Sequence, residues 1–68
     1  MFDINKAIIS GEAMTKEGLY VGNIKLDSKA HIFVVTGVMN SRDERWTLGG
    51  NYLVSGDHPH NLVNIEEN

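Results

Sequence analysis

The chain has 68 residues, no cysteine and a formal net charge of −3, so it holds one domain at most, with no disulfide staple and no thiolate zinc site. Six Lys and Arg residues stand against nine Asp and Glu residues, with no basic stripe, which argues against a binder of nucleic-acid polymers. Two of the acids, Glu66 and Glu67, fall in the polar tail, so the folded body is closer to neutral. A domain near this size buries only about 60% of its unfolded surface, and small unstapled scaffolds gain stability by associating. A homo-oligomer is therefore expected. There is no apolar run of about 18 residues and no charged-then-apolar leader, so a soluble cytoplasmic protein is expected.

In chain order, the first predicted element is a short helix. Asp3 is a good N-cap, Phe2 can staple onto Ala7, Ile4, Ala7 and Ile8 share one face, and Gly11 suits the stop. Such a short helix cannot stand alone in water and must dock on an apolar sheet face. Ala13-Met14-Thr15 reads as a brief strand, followed by a Lys16-Glu17-Gly18 turn. Leu19 to Leu26 reads as a strand, with Tyr20, Ile24 and Leu26 on one side and Leu19, Val21, Asn23 and Lys25 on the other. Gly22 within it signals a bulge or bend. Asp27-Ser28-Lys29 turns the chain into His31 to Met39, apolar on both faces and hence expected as a covered central strand. Asn40-Ser41-Arg42-Asp43 returns it.

Arg45 to Val54 is the organising stretch. Gly49-Gly50 between two β-prone runs predicts a two-residue hairpin turn, because glycine takes positive φ without steric cost. In that register Trp46, Leu48, Leu53 and Asn51 share one face, read as core. Arg45, Thr47, Tyr52 and Val54 share the other, where a cation, a hydroxyl and a phenol would meet a small polar ligand. Ser55 to Pro59 reads as loop, Asn61 to Ile65 as a last short strand, and Glu66-Glu67-Asn68 as a fraying end. The whole is expected to be α+β, a single domain over residues 1–68. A short N-terminal helix packs on a strongly bent antiparallel sheet, or small open barrel, of four to five strands.

Candidate chemistry is sparse. Asp57-His58-Pro59-His60 could share a metal, but a proline-fixed surface loop explains it as well, and no metal site is expected. There is no nucleophile elbow and no phosphate-cradling glycine loop. Glu12, Glu17, Asp43 and Glu44 fall in or near turns, where solvated charges belong. A chain this short can scarcely enclose a water-poor catalytic pocket, so no enzyme, no catalytic residue and no cofactor are expected. Trp46 reads either as the hairpin's core anchor or as a stacking surface, while Tyr20 and Tyr52 keep a polar end. With Thr15, Lys16, Arg45 and Asn61 nearby, such rings could hold a nucleotide, cations on phosphate and amide on a base edge. The plainer reading is solvated edges.

The order Gly11-Glu12-Ala13-Met14-Thr15-Lys16-Glu17-Gly18, then Thr36-Gly37-Val38, then Trp46-Thr47 with Gly50-Asn51-Tyr52, then His58-Pro59-His60-Asn61-Leu62-Val63 spans nearly the full chain. It resembles a class of small phage-encoded proteins with a Thr-(Arg/Lys)-x-Gly turn, a Trp hairpin ending Gly-x-Tyr and a closing Pro-x-(Asp/Asn)-Leu. Small phage proteins of this general kind include sponges for the nucleotide signals of bacterial defence systems such as CBASS and Thoeris. The resemblance implies an anti-defence oligomer in the host cytoplasm. It would sequester a cyclic oligonucleotide or an ADP-ribose-type messenger without turnover, in pockets between subunits. The positions carried across are Thr15, Lys16, Trp46, Tyr52, Pro59, Asn61 and Leu62. Lys16 stands where arginine is commoner, and Asn61 where aspartate is. The expected ligand-binding set is therefore Thr15, Lys16, Arg45, Trp46, Tyr52 and Asn61. The alternative is a protein-binding inhibitor of a host factor, docking through a sheet edge or the His58 loop. A structural or accessory role is the third reading.

Overall fold

The computed structural model describes residues 2–65; the expected fraying of Glu66 to Asn68 lies outside the described residues. Helix α1 spans Ile4–Ser10, followed by strands β1 (Ala13–Thr15), β2 (Tyr20–Leu26), β3 (Val35–Met39), β4 (Arg42–Trp46) and β5 (Leu62–Val63). The strands form one antiparallel sheet in the order β4-β3-β2-β1-β5, curled into a half-barrel. The α+β class and the bent sheet are as expected from the pattern.

The ends of α1 follow from two residues. Asp3 takes an extended conformation and its side chain accepts from the Lys6 N–H, satisfying one of the donors a helix start leaves free. Gly11 enters the left-handed region at φ 77° and its N–H closes on the Ala7 carbonyl. Ala7 is buried in the core, with Phe2, Ile4 and Ile8 packed around it. The Gly11 carbonyl then accepts from the Ile24 N–H, tying the helix end to the middle of β2.

β2 bends because one residue is extra. Its first part pairs with β1 (Ala13↔Val21) and its later part with β3 (Lys25↔Thr36), the register shifting between Gly22 and Lys25. The residue with positive φ there is Asn23, at 54°. The expected bulge is present, but it resets the alternation: Val21 and Ile24 both face the core, while Tyr20 and Leu26 are exposed. The predicted grouping of Tyr20, Ile24 and Leu26 on one side is therefore corrected.

Four further expectations are revised. The central strand covers only Val35–Met39; His31 to Val34 is irregular and Ile32 is exposed. The expected return after Met39 is a two-residue turn between β3 and β4, Asn40 and Ser41 having φ of 53° and 64°, whereas Gly49-Gly50 does not form the predicted two-residue turn. The loop at the glycines has three residues instead. Gly50 N–H donates to the Thr47 carbonyl, the Thr47 N–H donates to the Asn51 carbonyl, and Gly50 alone has positive φ. Thr47 consequently faces Asn51, not Tyr52, and no return strand forms after it. Trp46 is fully buried, but Leu48 and Leu53 are exposed, so they do not share its core face. The last strand is limited to Leu62–Val63.

The open side of the half-barrel is closed by the segment after β4 meeting the segment before β5. Trp46 Nε1–H donates to the His60 carbonyl, the Leu62 N–H to the Gly50 carbonyl and the Tyr52 N–H to Asn61 Oδ1, each at 2.7 Å. Trp46 and Leu62 thus complete the core of Ala7, Ala13, Val21, Ile24, Val35 and Met39.

Candidate functional site

Two of the open hollows on the surface contain sequence-predicted residues that sit apart from one another. The first, of about 670 Å³, is lined by Lys25, Phe33, Thr36, Arg45 and Tyr52, with Asn23, Asp43 and Glu44 among its other walls. The second, of about 840 Å³, includes Phe2, Lys6, Lys16, Asn51 and Asn61. Arg45 and Tyr52 therefore share one hollow, Lys16 and Asn61 the other.

The first hollow is built on a cross-strand row. Lys25 of β2 pairs with Thr36 of β3, and Thr36 pairs with Arg45 of β4. Directly paired residues project on the same side of a sheet, and neighbouring strands lie about 4.8 Å apart. A hydroxyl thus stands between two cations, roughly 10 Å across at the backbone. Arg45 is oriented from behind: Nη1–H donates to the Phe33 carbonyl at 3.1 Å and Nη2–H to Asp27 Oδ2 at 3.0 Å. Its side chain remains half exposed (52%), so part of its donor fork faces the hollow. Asp27 accepts the Lys29 N–H as well, and that bond, followed by the Arg45 guanidinium, holds its carboxyl below the usual carboxylate range. Among the described residues Lys25 makes no ion pair.

Tyr52 closes one wall of the same hollow. Its hydroxyl donates to Glu44 Oε1 at 3.0 Å, and this bond, with partial burial and the carboxylate charge, raises its pKa above the ordinary phenol value. Its ring stacks on His58 at 4.9 Å and meets the edges of His60 and Trp46 at 5.0 and 6.2 Å.

Of the other predicted residues, Thr15, Trp46 and Asn61 are buried and Lys16 is not. Thr15 is fully buried, and its Oγ1 accepts the Leu19 N–H at 3.0 Å. Trp46 has no exposed surface, which realises its core-anchor reading and leaves no ring face for a base in this conformation. Asn61 is 5% exposed and its Oδ1 is used by Tyr52 N–H. Lys16 lies at the surface and pairs with Asp57. Sequence reasoning missed Lys25, Thr36 and Phe33. The bulge at Asn23 sets which residue of β2 faces Thr36, and nothing local in the sequence announces that register.

The histidine loop is internally committed. His58 Nδ1 accepts the His60 N–H at 3.0 Å, while the buried Nδ1 of His60 lies against Glu17 Oε1 without a well-aligned hydrogen bond. Among the described residues no group of three or more His, Asp or Glu side chains is placed to share a metal, and no helix is long and apolar enough to cross a membrane. No protein family, curated protein or solved structure matches the chain.

Proposed function

We propose that the protein is a non-enzymatic binder of a small phosphorylated ligand, a phage anti-defence sponge that sequesters a nucleotide immune signal. The observation that carries the reading is the Lys25–Thr36–Arg45 row on the floor of a hollow walled by Phe33 and Tyr52. Two cations flanking a hydroxyl suit a phosphate or pyrophosphate, and the rings on the walls suit a base or ribose face. The hollow's volume falls within the roughly 300–1,000 Å³ usual for small-molecule sites. Its open mouth fits a site that a second copy completes, in keeping with the homo-oligomer expected of so small a chain. Asp43 and Glu44 at the rim oppose a polyanion, which favours a compact messenger over a nucleic-acid polymer.

Titration calorimetry against cyclic dinucleotides, cyclic trinucleotides and ADP-ribose isomers tests the reading, and no heat across the panel removes it. Lys25→Ala is expected to weaken the binding ligand by roughly 10–100-fold, the worth of one charge-assisted contact. Lys6→Ala, in the second hollow, is expected to leave it unchanged.

The second reading, a protein-binding inhibitor, draws support from the apolar side chains of Leu48, Leu53 and Val54, exposed at 55%, 45% and 67%. The edge strand β4 is less suited to strand addition, since Arg42, Asp43, Glu44 and Arg45 occupy it in succession. Stoichiometric retention of a host protein by the bait, lost in Leu53→Ser, would favour this reading over the sponge.

A further inference from the structure

The loop that closes the half-barrel holds a bond that only a neutral imidazole can make. His58 Nδ1 accepts the backbone N–H of His60, so the ring must carry its proton on Nε2. Protonation turns Nδ1 into a donor facing a donor. The same His60 offers its carbonyl to Trp46 Nε1–H, and His58 stacks on Tyr52, whose N–H is held by Asn61. The one turn 58–60 therefore carries contacts to the core indole and to the wall of the first hollow, and its His58 and Pro59 carbonyls accept the N–H groups of Asn61 and Glu17.

We propose that this turn is an acid-released latch, in which protonation of His58 unfastens the His58–His60 turn and loosens the seam that Trp46 and Tyr52 close. The groups around His58 are accounted for as follows. Its stacking partner Tyr52 is bonded to Glu44, and Arg42 acts on the same phenol through its charge. His60 meets its edge at 5.1 Å, with Glu17 beyond on the His60 Nδ1. Lys16 and Asp57, paired to each other, share the shallow depression that His58 lines with Pro59. Nδ1 of His60 lies against the Glu17 carboxylate, so a proton there meets an acceptor, whereas a proton on Nδ1 of His58 removes an existing bond. The latch is closed while His58 is neutral, its Nδ1 accepting the His60 N–H, and opens when Nδ1 takes up a proton.

Trp46 is the sole tryptophan and its indole N–H ends on this turn, so it reports the latch without any ligand. The test follows the Trp46 indole resonance and the exchange of the His60 amide from pH 8 to pH 5 in three proteins: the natural chain, His58→Asn and Glu17→Gln. Asparagine keeps an acceptor oxygen near the position of Nδ1 and does not titrate. The expected result is a single indole transition in the natural chain, with the protection factor of the His60 amide, taken against its intrinsic exchange rate at each pH, lower by on the order of fivefold on the acid side. His58→Asn is expected to abolish the transition and Glu17→Gln to keep it. A transition that survives His58→Asn and vanishes in Glu17→Gln, or no transition at all, overturns the proposal. Should His58→Asn fail to fold, the ¹⁵N shifts of His58 in the natural chain at pH 8 decide: a proton on Nδ1 refutes the latch.

Discussion

Gly37 lies where the side chains of two strands converge. A Cβ there would sit 2.7 Å from Val21 Cγ1 and 3.0 Å from Ile24 Cδ1, closer than carbon atoms approach without displacement. Both neighbours are buried branched side chains, so neither yields freely. Gly37→Ala is expected to cost about 1–3 kcal/mol, read as a lower urea midpoint at unchanged slope. Gly56 is the control: its φ is +91° but nothing lies within 4 Å of an added Cβ, so Gly56→Ala is expected to lose only the backbone term, about 1 kcal/mol. If the two variants melt alike, the packing account of Gly37 is wrong. Trp46 shows the other kind of residue-scale constraint. Trp46→Phe keeps most of the apolar volume but leaves the His60 carbonyl without its donor. An expected loss of about 1–3 kcal/mol follows, measurable by thermal or denaturant unfolding.

The same loop is used twice to join elements. In Thr15-Lys16-Glu17-Gly18-Leu19, the Gly18 N–H closes on the Thr15 carbonyl, the Thr15 N–H donates to the Leu19 carbonyl, and Thr15 Oγ1 accepts the Leu19 N–H. In Thr47-Leu48-Gly49-Gly50-Asn51, the Gly50 N–H, the Thr47 N–H and Thr47 Oγ1 repeat those bonds with Asn51 in the place of Leu19. The glycines have φ of 92° and 83°. A threonine three residues before a glycine thus fixes a three-residue loop, since its hydroxyl takes the N–H that the ladder leaves over. Thr15 is fully buried while Thr47 is half-buried. Thr15→Val is therefore expected to cost about 1–3 kcal/mol, and Thr47→Val less, because water can reach the orphaned N–H there. At the helix, Asp3→Ala is expected to cost about 1 kcal/mol, seen as earlier fraying of residues 4–7 in amide exchange. Equal protection in the two proteins would show that docking, not the cap, holds this end.

Stability of the whole molecule should bend at both ends of the pH scale. The folded-state pKa of Asp27 is lowered, by the Lys29 N–H and then by Arg45, so its contribution is present above the unfolded value of 3.8 and is lost as pH falls through the folded one. Asp27→Asn should flatten the acid limb below about pH 4. The folded-state pKa of Tyr52 is raised by its bond to Glu44, so its contribution is intact below the unfolded value of 10.0 and is lost as pH rises through the folded one. Tyr52→Phe should flatten the alkaline limb. An unchanged profile in either variant would separate that group from pH-dependent stability.

Much of this architecture is legible in the residues themselves. Asp3, the 4-7-8 apolar spacing and Gly11 specify α1 because caps and helical periodicity act within a few residues. The turn at Lys16-Glu17-Gly18 and the burial of Trp46 follow from equally local chemistry. The bulge was legible as an event at Gly22, but its placement at Asn23, and with it the facing of every later residue of β2, depends on how β1 and β3 share that strand. The return at Asn40-Ser41 was legible, but the glycines at 49–50 form a three-residue loop in place of the predicted two-residue turn, the Thr47 hydroxyl accepting the Asn51 N–H. The Lys25–Thr36–Arg45 row joins residues from three strands and exists only once that register is set. Caps, turns and apolar spacing are decided by neighbours along the chain. Which cations meet across a sheet is decided by pairing between distant strands, where one extra residue moves every side chain to the opposite face.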